Sequence, residues 1–240
     1  MNGKETAVQS LVDLCLRLSE LQEKEVQEGE MITTYPCNYP FCWYSRSLVN
    51  KDKDPAAVCK ELAEHRSPMV SFTDSEHSEE LRKALEEKGY RQISEQVLMC
   101  ADLKDIDVRE DEHIRRFGET DVEDWAAAVC KGFGKPDDPS FRDFAKDKDN
   151  YLYGYILDGE IVGTLLLYSR NGNAGIHEVS CREDLRRKGI ASALVRHALC
   201  HCKAEGDTLT SLQASPLGKL TYASLGYQEY GTLYTMALLK

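Results

Sequence analysis

Between Arg182 and Lys188 the chain places four cationic side chains, Arg182, Arg186, Arg187 and Lys188, directly ahead of Gly189, Ala191 and Ser192. A strand-like run ending in Val179-Ser180-Cys181 precedes them, and an apolar helical period begins at Ile190. The first backbone N–H groups of a helix have no intrahelical acceptor, and the helix dipole puts positive potential there. Small side chains at Gly189 and Ala191 let an anion approach the backbone. The chemistry this favours is capture of a pyrophosphate-sized anion. A basic turn that merely opens an exposed helix would use the same residue types.

Other groups with reactive side chains point less clearly to a site. His197 and His201 are spaced to share one face of a helix, but Cys200 and Cys202 between and beside them point in different directions. Zinc sites draw on matched ligand pairs, and no second cluster accompanies this one, so no metal is expected. Cys37 and Cys42 bracket Asn-Tyr-Pro-Phe in a loop and read as packing around Phe41 and Trp43. Cys181 lacks an ordered base and is not expected to be a nucleophile.

The elements that must position the basic turn follow from periodicity and turn residues. In the first half, helices are expected over 5–27, 55–65 and 78–88, with Asp54 and Pro55 opening the second and Gly89 ending the third. Strands are expected over 68–72 and 96–101, and the stretch 33–45 reads as loop and short strand. The charge-rich run 102–112 marks a boundary, giving units 1–105 and 106–240. In the second half, helix 122–133 and a helical piece at 140–147 precede strands 151–157 and 161–168, which Asp158-Gly159 joins as a hairpin. Asn171-Gly172-Asn173 turns into strand 175–181. Helix 190–203, strand 208–213, helix 216–225 and strand 227–238 complete the chain.

Arg186-x-x-Gly189-x-Ala191 after a strand resembles the pyrophosphate-binding signature of the GNAT superfamily of acyl-CoA-dependent N-acyltransferases. The tail Leu212-Gln213-Ala214-Ser215-Pro216 through Tyr222 to Leu225-Gly226-Tyr227 is similar to that superfamily's closing strand, Tyr-bearing helix and Leu-Gly-aromatic turn. The resemblance covers residues 106–240. It implies an α/β (α+β layered) GNAT fold, a mixed and mostly antiparallel sheet whose central parallel strands splay apart. The first half more loosely resembles a degenerate GNAT-like copy, with Gly89-Tyr90 and Gln96–Cys100 as remnants; it lacks the cradle and is expected to bind no cofactor.

The resemblance also implies roles. Acetyl-CoA would be the co-substrate, lying between strands 175–181 and 208–213. Backbone groups at Val179, Ser180 and Cys181 would bond its pantetheine and polarise the thioester. Arg186, Arg187, Lys188, Gly189, Ile190, Ala191 and Ser192 would hold the pyrophosphate, and Ser215 would line the cofactor from the next strand's end. Tyr222 matches the family's general acid, a phenol able to protonate a departing thiolate. For the base that frees the amine, regular strand alternation puts His177 on the face of Val179 and Cys181, and an imidazole suits that task. Glu178 would point away unless a bulge intervenes.

Charge and composition narrow the partners. The chain has 240 residues with 30 Lys+Arg against 41 Asp+Glu, a net charge of -11. An extended nucleic-acid or anionic-membrane surface runs on clustered positive charge, so neither partner is expected. The polar start, the lack of an 18-residue apolar run and nine scattered cysteines point to a cytoplasmic protein with reduced thiols. The expected activity is N-acetyl transfer to a primary amine of a small molecule or peptide, by a monomer or homodimer. The other reading is a non-catalytic acyl-CoA-binding or scaffold protein; an O-acyl variant stays open. Trp43, Tyr44, Trp125 and Phe133 are candidates to line the acceptor pocket.

Overall fold

The computed structural model describes residues 3–34, 43–49, 53–65 and 67–238. In the first half they form α1 (Gly3–Leu21), β1 (Gln27–Glu28), β2 (Met31–Thr34), β3 (Arg46–Val49), α2 (Pro55–Glu64), β4 (Met69–Thr73), α3 (Ser78–Glu87) and β5 (Tyr90–Asp102). Then come β6 (Ile114–Phe117), α4 (Val122–Phe133), α5 (Ser140–Asp143), β7 (Asn150–Leu157), β8 (Glu160–Arg170) and β9 (Asn173–Cys181). The chain closes with α6 (Ile190–Glu205), β10 (Leu209–Ala214), α7 (Lys219–Ser224) and β11 (Gln228–Leu238). Both two-residue turns flanking β8 use left-handed backbone: Asp158 and Gly159 at φ 51° and 80°, Asn171 and Gly172 at 55° and 78°. That handedness matches the twist of the flanking strands.

Two expected helices are shorter than their periodicity suggested. The first ends at Leu21 instead of residue 27, because Glu23 turns into left-handed backbone at φ 51° and 27–28 join the sheet. The last is only Lys219–Ser224, since the backbone N–H groups of Gly218 and Lys219 both bond the Ser215 carbonyl in a preceding turn. Cys37, Phe41 and Cys42 lie outside the described residues. The cysteines at 15, 59, 100, 130, 181, 200 and 202 are free thiols. Among the described residues no helix is long and apolar enough to cross a membrane.

Among the described residues all strands join one sheet of 11, in the order β1-β2-β3-β4-β11-β5-β10-β9-β8-β7-β6. The pairs are antiparallel except β3–β4 and β9–β10. This order is nearly symmetric about the central antiparallel β11–β5 pair. Outward on one side lie β4 and its parallel neighbour β3; outward on the other lie β10 and its parallel neighbour β9. The element succession β3-α2-β4-α3-β5 repeats as β9-α6-β10-α7-β11. Each half's last strand has crossed to the other: β5 runs along β10 from Val97↔Ala214 to Asp102↔Leu209, and β11 runs along β4. The sheet is therefore continuous across residues 105 and 106.

Helices cover both faces. On one, α1 and α4 bury Leu11, Leu14, Leu18, Trp125 and Val129 against Leu98, Leu166 and Tyr168. On the other, α6 buries Ile190, Leu194, Val195, Ala198 and Leu199 against Leu165, Leu167 and Ile176. Helix α4 comes unusually close to β9 at Gly132, where an added Cβ would lie 2.7 Å from the Ser180 Cβ. Helix propensity alone would make Gly132→Ala stabilising by about 1 kcal/mol. Overpacking costs about 1–3 kcal/mol, so the clash should win. Urea unfolding should show a lowered midpoint; a raised one would mean that the helix backs away freely.

Candidate active site

The parallel strands β9 and β10 pair over Asn173–Ile176 and Leu209–Leu212, and there the pairing stops. Beyond that point β9 runs on to Cys181 and β10 to Ala214 without facing each other as partners. The other edge of β9 is interrupted at the same level. Its register with β8 passes from Leu166↔His177 to Thr164↔Ser180, so Glu178 and Val179 stand opposite Leu165 alone. Glu178 adopts φ 46°, a left-handed conformation uncommon for a residue with a side chain. This is a β-bulge, and it leaves backbone groups outside the ladder beside the opened gap.

The bulge reassigns the faces of β9. Ile176 and Val179 both pack on the α6 side, three residues apart, and Cys181 joins them there. His177 faces α1, where its Nε2 lies 3.2 Å from the Ser10 Oγ. The expectation that His177 shares a face with Val179 and Cys181 is therefore corrected: regular alternation fails at the extra residue. Glu178, which regular alternation turned away from the site, instead shares the α1–α4 side with His177, and its Oε1 accepts a 2.5 Å hydrogen bond from the Tyr44 hydroxyl. Gly175 makes room for α1, since a Cβ there would meet Ser10 and come within 2.8 Å of the His177 Nε2.

The two side chains titrate in opposite senses. Burial pushes the His177 imidazole down to about 3, so it is neutral across the physiological range. Burial holds the Glu178 carboxyl above its ordinary value, while the Tyr44 hydrogen bond and the Lys135 charge pull it partly back. For His177 the linkage sign is clear: between its unfolded value of ~6.5 and its folded value the unfolded chain binds more protons, so stability falls as pH falls through that window. We expect wild type to lose up to about 1.4 kcal/mol per pH unit there from this group. Comparing wild type with His177→Gln between pH 7 and 5 isolates it; equal slopes would mean His177 takes up its proton as readily in the folded protein as in the unfolded chain.

A cavity of about 130 Å³ opens at the break between β9 and β10, lined by His177, Glu178, Val179, Gln213, Ser215 and Tyr222 among others. Tyr222 comes from α7 on the α6 side of the sheet, its ring edge-on to Tyr227 at 5.9 Å. Its hydroxyl has no hydrogen-bond partner among the described residues, and burial raises its pKa, so it keeps its proton at neutral pH. Glu178 and Tyr222 thus meet one cavity from opposite faces of the sheet. Ser215 also lines it, its Oγ accepting the Gly218 N–H at 3.1 Å.

The basic turn lies at the end of β9. Gly189 is the residue before α6, at φ 84°, and Arg187 precedes it at φ 62°. The first helical bond runs from the Ala193 N–H to the Gly189 carbonyl. The N–H groups of Ile190, Ala191 and Ser192 precede it and have no acceptor within the helix. Arg182 is paired with Asp184 and Glu160, at 2.8 and 2.6 Å, and Arg186 donates to the Gly132 carbonyl at 3.3 Å. Arg187 and Lys188 are exposed and make neither ion pair nor side-chain hydrogen bond among the described residues. In the first half the corresponding helix, α2, begins differently: the Asp54 carboxylate accepts the Ala56 N–H and puts a negative charge where an anion would sit.

Residues 116–217 match the family model described as the acetyltransferase (GNAT) family. This stretch holds the bulge, the basic turn and β10, and stops five residues short of Tyr222. It is a GNAT acetyltransferase domain. The chain is also similar in structure to a GCN5-related N-acetyltransferase from Kribbella flavida, at 17% identity and TM-score 0.68, covering 96% of this chain and 95% of that one. A GCN5-related N-acetyltransferase from Sphaerobacter thermophilus is similar at 18% identity and TM-score 0.59, with 98% and 93% covered. No curated protein matches the sequence. At these identities the structural likeness establishes the fold, and family and fold together support acyl transfer as its chemistry.

Several residues at this cavity come from the first half of the chain. Leu11, Trp43, Tyr44 and Gln96 line the cavity, and Gln213 on β10 donates to the Ala7 carbonyl of α1 at 2.6 Å. Of the four aromatics expected around an acceptor, Trp43, Tyr44 and Phe133 line it; Trp125 is wholly buried, its indole N–H bonded to the Tyr153 carbonyl at 2.9 Å. His197 accepts from the Asp111 N–H and packs on Tyr153, and His201 packs on Tyr151. Among the described residues no three His, Cys, Asp or Glu side chains gather as a metal site.

Proposed function

We propose that the protein transfers an acetyl group from acetyl-CoA to a primary amine by direct attack. The observation that carries this reading is the placement of Glu178 and Tyr222 on one cavity, on opposite faces, at the break between β9 and β10. The pantetheine arm would thread the gap along Val179, Ser180 and Cys181. The N–H groups of Ile190, Ala191 and Ser192, with Arg187 and Lys188, would hold the pyrophosphate, while Arg186 braces the turn against α4. Gly189 supplies the left-handed step into the helix. A thioester so placed has its carbonyl beside the unladdered backbone of the bulge, where the Val179 N–H can polarise it.

Glu178 takes the role of base in this reading, in place of His177. A neutral imidazole with a folded pKa of about 3 is too weak a proton acceptor for an amine. The amine nitrogen attacks the thioester carbon from the α1–α4 side, giving its proton to the Glu178 carboxylate, directly or through a water. The C–S bond breaks toward the α6 side, and Tyr222 protonates the departing thiolate. The products are the acetylated amine and free CoA. Tyr44 holds the carboxylate in place from the first half of the chain.

The test is incubation with acetyl-CoA and a panel of primary amines, following thiol release and the acetylated product by mass spectrometry. Product with matching thiol supports the reading. Acyl-CoA binding without release from any amine would favour a binding protein that keeps the fold.

A further inference from the structure

A second cavity, of about 380 Å³, adjoins the first and shares Trp43, Phe133, Lys135 and Glu178 with it. Its remaining walls are mostly apolar: Met69, Ile93, Val129, Pro136 and Phe141 contribute. Ile93 and Phe133 keep 43% and 40% of their surface exposed, unusual for large apolar side chains, and both face this space. The carboxylates at its edge are already engaged. Asp138 accepts from the Ser140 N–H and hydroxyl and from the Trp43 N–H; Asp137 is paired with Arg142 at 3.1 Å; Glu178 accepts from Tyr44.

Lys135 is the exception. Its Nζ lies 4.6 Å from the Trp43 ring centre and 5.0 Å from that of Phe133, and no carboxylate among the described residues comes within 4.0 Å. Among the described residues Lys135 is the one lysine or arginine lining both cavities, and it makes no ion pair. The net charge of -11 acts at long range and is screened over ~8 Å, so an anionic group of a ligand would pair with Lys135 at close contact.

Resting on the acyl-transfer reading above, we propose that the acceptor is an α-amino acid with an apolar side chain of leucine to phenylalanine size. Its amine lies at Glu178, its carboxylate pairs with Lys135, and its side chain fills the second cavity. Lys135 and Glu178 line both cavities, which puts a carboxylate partner and the proposed amine acceptor at the same junction. The apolar walls then select against alanine-sized side chains and against the charged chain of a polyamine.

The test compares phenylalanine, phenethylamine, alanine and spermidine as acceptors with acetyl-CoA. Phenethylamine lacks only the carboxylate, and loss of a charge-assisted contact should lower kcat/KM about tenfold. Alanine lacks the apolar group and should fall about 10- to 100-fold. In Lys135→Met the phenylalanine-to-phenethylamine ratio should approach one. Independently of turnover, titrating phenylalanine against the fluorescence of Trp43 should give saturable quenching, abolished in Lys135→Met; the other tryptophan, Trp125, is wholly buried and gives a constant background. Acetylation of spermidine in preference to phenylalanine would overturn the proposal and leave the acyl-transfer reading standing. Absence of acyl transfer to every amine would overturn that reading, and the fluorescence titration would still decide the amino-acid site: no quenching sinks it.

Discussion

Replacing Glu178 by Gln should lower kcat/KM at pH 7 by about 10²- to 10⁴-fold, the range for removing a positioned general base. The substitution keeps an acceptor for the Tyr44 hydroxyl, 2.5 Å away in the wild type, so the bulge and the cavity should survive. What disappears is the group proposed to take the amine's proton. In wild type, activity should rise with pH through the Glu178 pKa, which burial places above the ordinary carboxylate value. In the variant that limb should vanish, and rate should instead climb toward high pH as free amine accumulates near ~10. Paired pH–rate profiles check this. A near-wild-type profile for Glu178→Gln, with the loss appearing in His177→Gln instead, would return the role to the histidine.

The second large effect concerns the leaving group. Tyr222→Phe should lower kcat by about 10²-fold, since a thiolate must then depart without its acid. The ring contact with Tyr227 at 5.9 Å remains in the variant, so folding and acetyl-CoA affinity should change little. Burial raises the phenol's pKa and so weakens it as an acid; the role rests on its placement beside the leaving group. Single-turnover rates and calorimetric affinities together separate the acid from a packing residue. A kcat within about twofold of wild type would leave Tyr222 as a core side chain closing α7.

Local chemistry made much of this architecture legible. Asp158-Gly159 and Asn171-Gly172 demand left-handed turns, and both are there. The small residues after a basic run placed the start of α6, and the apolar stripe from Leu194 to Leu199 placed its buried face. The bulge could be anticipated only as a possibility, because an extra residue in β9 depends on how Thr164 and Leu166 pair with it. Alternation therefore favoured His177 and turned Glu178 away from the site. Tyr44 is legible as a pocket-lining aromatic, but its bond to Glu178, like the place of Lys135, is out of reach for a different reason. They meet Glu178 from elements 134 and 43 residues distant in sequence, and no local period reports that. The crossing of β5 and β11 has the same origin: either strand could pair with its own half, and only packing across the whole sheet decides.

Every step proposed above requires that the end of β9, the basic turn and the gap together bind an acyl-CoA. Calorimetry with acetyl-CoA tests it most directly, on wild type beside Gly189→Ala and Gly189→Glu. Both variants force a side chain into φ 84°, and neither Cβ meets an atom within 4 Å, so they share the backbone strain. Only the glutamate adds negative charge where the pyrophosphate would lie. Wild type should bind saturably, Gly189→Ala more weakly and Gly189→Glu not measurably. Equal affinity in all three, or no heat and no thermal stabilisation of wild type by acetyl-CoA, would contradict it.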